Sequence, residues 1–138
     1  MAAKDIYHDS IKAALIADNW LVTHDPYSLK ILGFQQSIDL GAEKILAAEK
    51  ENLKIAVEIK SFVGNSFIYD FHHALGQYVN YKLALRRKEP DRELFLGVTK
   101  EIFDTYFDSP AVLEAIEEVE MKILVVDVNE TRIVEWKK

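Results

Sequence analysis

Gln36-Ser37-Ile38-Asp39-Leu40-Gly41-Ala42-Glu43-Lys44-Ile45-Leu46-Ala47-Ala48-Glu49-Lys50-Glu51-Asn52-Leu53-Lys54-Ile55-Ala56-Val57-Glu58-Ile59-Lys60-Ser61-Phe62 places two apolar, β-compatible runs on either side of the polar centre Glu49 to Asn52. That pattern predicts an antiparallel hairpin. In its second arm Ile55, Val57 and Ile59 point one way, and Ala56, Glu58, Lys60 and Phe62 the other, because side chains alternate along a strand. A turn centred on Glu51 and Asn52 sets Glu58 opposite Ile45 and Lys60 opposite Glu43. Asp39, Gly41 and Glu43 then share their face.

Upstream, Ile6, Ile11, Ala14, Leu15 and Ala17 recur at helical spacing, which predicts a helix from Asp5 to Asp18 with Asp5 as N-cap. Trp20 to Thr23 reads as a short strand, and Asp25-Pro26 as a turn. Downstream, Gly64-Asn65 is a break. A long helix runs from about Phe67 to Arg87 and stops before Pro90. Leu94 to Thr99 is a compact apolar strand, followed by helical stretches near Lys100 to Phe107 and Pro110 to Val119, the proline suiting a first helical turn. Lys122 to Val128 is a buried strand, and after the turn at Asn129-Glu130, Arg132 to Trp136 alternates like an edge strand. The expected order is α-β-β-β-α-β-α-β-β, an α/β fold without repeats or linkers.

The chain has 138 residues, 49% of them hydrophobic, enough for one sizeable core and hence a single domain spanning residues 1–138. No apolar run has the ~18 residues of a membrane span. Met1-Ala-Ala-Lys-Asp5 lacks the basic-then-apolar order of a signal peptide, so a cytoplasmic protein with no membrane partner is expected. There is no cysteine, so any metal must take oxygen or imidazole ligands. The net charge of −6 argues against strong nucleic-acid binding by overall electrostatics, unless a divalent cation or a basic partner supplies the missing positive charge.

Metal-assisted phosphodiester hydrolysis needs hard oxygen ligands for Mg²⁺ or Mn²⁺. Asp39 and Glu58 on adjacent strands, with the carbonyl of Ile59, are the candidate ligands. Lys60, two residues beyond Glu58, is placed to orient an attacking water and to offset charge on the phosphoryl oxygens. Eighteen residues separate Asp39 from Glu58, long for a tight hairpin, so Glu43 or Glu49 is an alternative second ligand.

Ile38-Asp39 followed by Val57-Glu58-Ile59-Lys60 resembles the PD-(D/E)XK phosphodiesterase signature, with Ile38 where that pattern often has proline. Gln77-Tyr78-Val79-Asn80-Tyr81 is similar to the Gln-x-x-x-Tyr element of its RecB-like branch. Gln77 and Tyr81 are i,i+4 neighbours on a helix and can face one cleft. The resemblance implies a restriction-endonuclease-like core, a mixed central sheet flanked by helices, in which these two residues contact nucleic acid or support the active site. More narrowly, Asp5-Ile6-Tyr7-His8, Trp20 to Pro26, Ala47-Ala48-Glu49-Lys50, Ile55 to Phe62, and Ala74-Leu75-Gly76-Gln77-Tyr78 together resemble the XisH family. That resemblance implies control of fdxN element excision in cyanobacteria, a programmed DNA rearrangement, alongside a small partner called XisI.

Two functions are therefore expected of different kinds. One is a DNA-acting factor with a Mg²⁺- or Mn²⁺-dependent endodeoxyribonuclease site. The other is a non-catalytic regulator that keeps the fold and binds an XisI-like partner and a site-specific recombinase. His8, at the edge of the first helix's apolar stripe, is a candidate cleft residue or a boundary histidine bonded to backbone. His72 and His73 point about 100° apart on a helix and make no paired metal site. Arg86-Arg87-Lys88 suits the helix macrodipole and also phosphate. Tyr69, Phe71, Tyr78 and Tyr81 read chiefly as core, and Trp136 is placed for either an edge strand or a homo-oligomer contact.

Overall fold

The structure, a computed structural model, describes residues 5–46 and 51–138, and the side chains of Ile45, Leu46 and Glu51 are not part of the description. The elements run α1 (His8–Ala17), β1 (Leu21–His24), β2 (Tyr27–Ile31), β3 (Phe34–Ile38), β4 (Leu40–Leu46), β5 (Glu51–Ile59), α2 (Phe67–Lys88), β6 (Arg92–Thr99), α3 (Lys100–Tyr106), α4 (Pro110–Glu118), β7 (Ile123–Asp127) and β8 (Arg132–Lys137). A six-stranded sheet has the order β1-β4-β5-β6-β7-β8, and β2 and β3 form a separate two-stranded ribbon. β5, β6 and β7 are parallel, whereas β1, β4 and β8 join antiparallel. The expected mixed α/β sheet flanked by helices is what is observed. The two parallel joins follow from helical crossovers, α2 after β5 and α3–α4 after β6.

Alternation distributes the core over both faces. Ala56, Leu94, Leu96, Val98, Ile123 and Val125 pack under α2 and α4 with Phe71, Ala74, Tyr78, Tyr81 and Ile116. Ile55, Val57, Ile59, Phe95, Leu124 and Val126 pack under α1 with Ile11, Ala14 and Leu15. A strand covered on both sides is apolar at nearly every position, and β5 is buried from Ile55 to Ile59 even though position 58 is a glutamate. Gly97 lies opposite Ile59, and a Cβ there would come within 2.9 Å of Val57 Cγ1. Trp136 packs internally, its ring 5.5 Å from Trp20 and 4.9 Å from Phe95. Tyr69 is 73% exposed, unlike Phe71, Tyr78 and Tyr81. The helix starts are capped by Ser66, Thr99 and Ser109, which accept from the N–H groups of Tyr69, Ile102 and Val112.

Four expectations are corrected. The hairpin register is Leu40↔Val57 through Leu46↔Glu51, so Glu58 does not face Ile45, Lys60 does not face Glu43, and Glu51 and Asn52 are strand rather than turn. The partner of position 58 moves by six residues, an even number, so every side chain keeps its face and alternation cannot detect the change. Asp39 is not on a strand; it occupies the bend between β3 and β4, where the chain leaves the ribbon for the main sheet. Tyr27–Ile31, which carries no strand in the expected order, is the ribbon's first arm, burying Tyr27, Leu29 and Ile31. Finally, Asp5 does not cap α1: Tyr7 holds the N-cap position without a side-chain bond. Asp5 Oδ1 instead accepts from Tyr7 N–H at 2.9 Å.

Candidate active site

The bend at residue 39 and the end of β5 form one corner. Ile59 N–H donates to Asp39 Oδ2 at 2.8 Å, and Asp39 N–H reaches Glu58 Oε1 at 3.4 Å. Because β4 starts only at Leu40, opposite Val57, the edge of Ile59 that would meet a ladder partner meets the Asp39 side chain instead. N–H and carbonyl of one strand residue leave on the same edge, so the Ile59 carbonyl faces the Asp39 side. Lys60 Nζ lies 4.0 Å from Glu58 Oε2. The structure thus brings together Asp39, Glu58, Ile59 and Lys60, through a bend rather than through facing strands.

Burial, and then the charge of Asp39, push Glu58 up to about 8, with Lys60 pulling the other way. Asp39 is also raised, first by burial, against the Ile59 hydrogen bond. Without a cation the two carboxyls interact as hydrogen-bonding neighbours that cannot both ionise cheaply. On α2, Gln77 Nε2 donates to Tyr81 Oη at 3.3 Å. Tyr81 is held up at about 12, by burial and then by the charges of Glu58 and Asp39. Tyr81 is thus within electrostatic reach of both carboxylates, and Gln77 is bonded to Tyr81. Gln77 Oε1 is buried without a partner among the described residues.

His8, 4% exposed, donates from Nε2 to Asp25 Oδ1 at 2.7 Å, and Lys12 Nζ donates to Asp25 Oδ2 at 2.7 Å. His8 is bonded to a carboxylate rather than to backbone, its Nδ1 has no partner among the described residues, and its charge acts on Asp39. Burial opposes the ionisation of Asp25, but the bonds from Lys12 and His8 outweigh it and hold its carboxyl below the usual range. Asp5 is a residue the sequence argument missed as part of the corner: its Oδ2 accepts from Ser61 N–H at 3.0 Å and its charge raises Asp39. The signal was its i,i+3 spacing from His8. Glu43 is directed elsewhere, 3.5 Å from Arg92 Nη2, and Glu49 lies outside the described residues with Ala47, Ala48 and Lys50. His72 and His73 are exposed.

Two carboxylates and a carbonyl are hard oxygen donors of the kind Mg²⁺ and Mn²⁺ take. The raised carboxyls fit a cation too, because a positive charge between them relieves their repulsion. Among the described residues no cluster of three or more acidic or imidazole groups is arranged to hold a metal, so the protein's share is this smaller set. A concavity of about 250 Å³, lined by Asp5, Lys60, Ser61, Phe62 and His73 among others, opens beside Lys60. A groove of about 360 Å³ around Trp20, Phe95 and Trp136 holds none of these site residues.

A family model described as XisH protein matches residues 1–134. An XisH family protein from Nostoc punctiforme is 38% identical over 97% of this chain and 100% of its own, with a TM-score of 0.87. A fdxN element excision controlling factor protein from Anabaena variabilis is 39% identical over 98% of this chain and 100% of its own, also with a TM-score of 0.87. No curated protein matches.

Proposed function

Because the chain belongs to the XisH family, we propose that it controls excision of a DNA element, as its Anabaena variabilis neighbour is named for doing, through a phosphodiesterase site at the end of β5. The observation that carries this reading is the convergence of Asp39, Glu58 and Lys60 on one half-buried corner backed by Gln77 and Tyr81. Mg²⁺ or Mn²⁺, held by the Asp39 and Glu58 carboxylates and the Ile59 carbonyl, would supply Lewis-acid activation of the phosphodiester and of water.

The chain's own groups do the rest. Ile59 N–H fixes one Asp39 oxygen, and the other would be the one offered to the cation. Lys60 presents an ammonium to phosphoryl oxygens and to the incoming water. Tyr81, kept neutral, orients Gln77 and closes the apolar wall behind Glu58. His8 and Asp25 hold the N-terminal end of α1 against the same corner.

The test is nicking or cutting of supercoiled DNA by the purified chain with its small XisI-like partner, with and without Mg²⁺. Glu58→Ala should abolish metal-dependent cutting, and equal cutting by the variant would refute the reading. A second reading, a non-catalytic regulator of a site-specific recombinase, is favoured by the small number of ligands among the described residues and the net charge of −6. Asp39→Asn with Glu58→Gln leaving excision intact would select it.

A further inference from the structure

The β2–β3 ribbon ends in a two-residue turn whose central residues, Leu32 (φ 51°) and Gly33 (φ 85°), both have positive φ, the tight form that suits a hairpin's twist. Glycine or asparagine normally fills such positions, and a bulky apolar residue there is uncommon. Leu32 is nevertheless 79% exposed, and its neighbour Phe34 is 72% exposed. Neither contributes to the core, so the tip carries two large apolar side chains into solvent with no folding purpose.

Behind that tip lies a concavity of about 560 Å³ between the ribbon and the last turns of α2. Its lining includes Lys30, Gln35, Arg87 and Lys88, and no carboxylate. In a chain of net charge −6 such a place is unusual, since most other cations here are paired: Lys12, Lys44, Lys54, Lys82, Arg92, Lys100 and Lys122 each meet an acidic side chain. Lys30 and Arg87 meet none among the described residues. Lys88 bonds the Ser28 carbonyl and lies 4.6 Å over the Tyr27 ring, which ties the ribbon to the helix.

Unpaired cations flanking a protruding apolar tip match duplex DNA: the cations meet phosphates, and the apolar side chains wedge between base steps at a groove. An acidic protein surface would match the cations but would leave Leu32 and Phe34 needing a separate apolar pocket. The patch is joined to the candidate site along two elements. β3 runs directly into Asp39, and Lys88 is seven residues along α2 from Tyr81, about 10 Å at the helical rise.

We propose that the β2–β3 ribbon and the C-terminal turn of α2 form a duplex-DNA-binding arm, with Lys30, Arg87 and Lys88 on the phosphates and Leu32 and Phe34 as the wedge. This rests on the reading of the chain as DNA-acting but not on its metal site. The test is therefore binding of a fluorescent duplex by the full-length protein in EDTA, titrated over a range of salt. Lys30→Gln with Arg87→Gln should weaken binding at least tenfold at low salt and lower the log–log salt slope by about 0.9 for each cation removed. Leu32→Asn with Phe34→Ser should leave that slope unchanged and abolish the 2-aminopurine fluorescence increase that reports unstacking. Leu32→Asn suits a positive φ better than leucine, so an unchanged or higher melting temperature separates lost binding from lost folding. Wild-type affinity and slope in the cation variant would overturn the proposal, as would variants that bind DNA normally but lose a protein partner. Cutting that persists undiminished in the cation variant sinks the arm alone; duplex binding as described with no metal-dependent cutting sinks the phosphodiesterase alone.

Discussion

Burial and the neighbouring Asp39 push Glu58 from 4.5 to about 8, so the folded protein keeps a proton that the unfolded chain releases above its ordinary carboxylate pKa. A group raised in this way contributes stability at low pH and loses it as pH climbs. Metal-free protein should therefore become less stable between about pH 4.5 and 8, and Asp39, shifted in the same direction, adds to the trend. Glu58→Gln should flatten that limb in thermal melts run in EDTA, and Mg²⁺ should raise the wild-type melting temperature more at pH 8 than at pH 5. An unchanged pH profile in the variant would contradict the burial argument. Asp39→Asn can still accept the Ile59 N–H bond but loses the charge, so its fold should survive with a stability change within about 1 kcal/mol. Asp39→Ala leaves that N–H unpaired and should cost about 1–3 kcal/mol by chemical denaturation.

At the scale of elements, the crossing of α1, α2 and the sheet depends on a few close approaches. Tyr78 Oη donates to the Leu94 carbonyl and accepts from Lys122 N–H, both at 2.9 Å, so α2 is bolted to β6 and to the start of β7. Tyr78→Phe removes both bonds from a buried place, and a loss of about 1–3 kcal/mol is expected. Gly97→Ala tests the other face: its Cβ would meet Val57 2.9 Å away, and overpacking there should cost about 1–3 kcal/mol in denaturant melts. The strand at 92–99 and the helices at 67–88, 100–106 and 110–118 were legible because their apolar period, proline stops and caps are local. The ribbon was not: Ser28, Lys30, Gln35, Gln36 and Ser37 are polar and exposed, so apart from Ile38 at its end only Tyr27, Leu29 and Ile31 are buried along it, in the cluster that α2 closes.

Across the whole molecule, Arg92 is the residue that most binds distant parts together and the one least visible beforehand. Its side chain, 1% exposed, pairs with Glu89 at 2.8 Å and lies 3.5 Å from Glu43, while Nη1 donates to the Ile55 carbonyl at 2.9 Å. Glu89 also accepts from Tyr27 Oη at 2.6 Å and lies 3.3 Å from Lys54. The Arg92 bond, against opposing burial and with help from Tyr27, lowers Glu89 from 4.5 to about 2. This group stabilises the fold above its unfolded pKa and gives that stability up as pH falls toward 2. Glu89→Gln should therefore weaken the protein at neutral pH and shrink the difference from wild type under acid. Arg92→Met removes Glu89's main partner but leaves it Tyr27 and Lys54, and the lost charge-assisted bonds should cost about 1–3 kcal/mol, read as a lower denaturation midpoint.

What the chain's own order of residues determined is the set of helices and the two-sided sheet strands, because period and caps act over a few neighbours; the grouping of Asp39, Glu58, Lys60, Gln77 and Tyr81 was only what the resemblance implied. What only the tertiary structure decided is the six-residue change in register between β4 and β5, the bend that aims Asp39 at Ile59, the entry of Asp5 and Asp25 into the corner, and the ribbon standing outside the sheet. These depend on contacts between residues 17 to 62 positions apart, and alternation with a period of two is the same for any even shift.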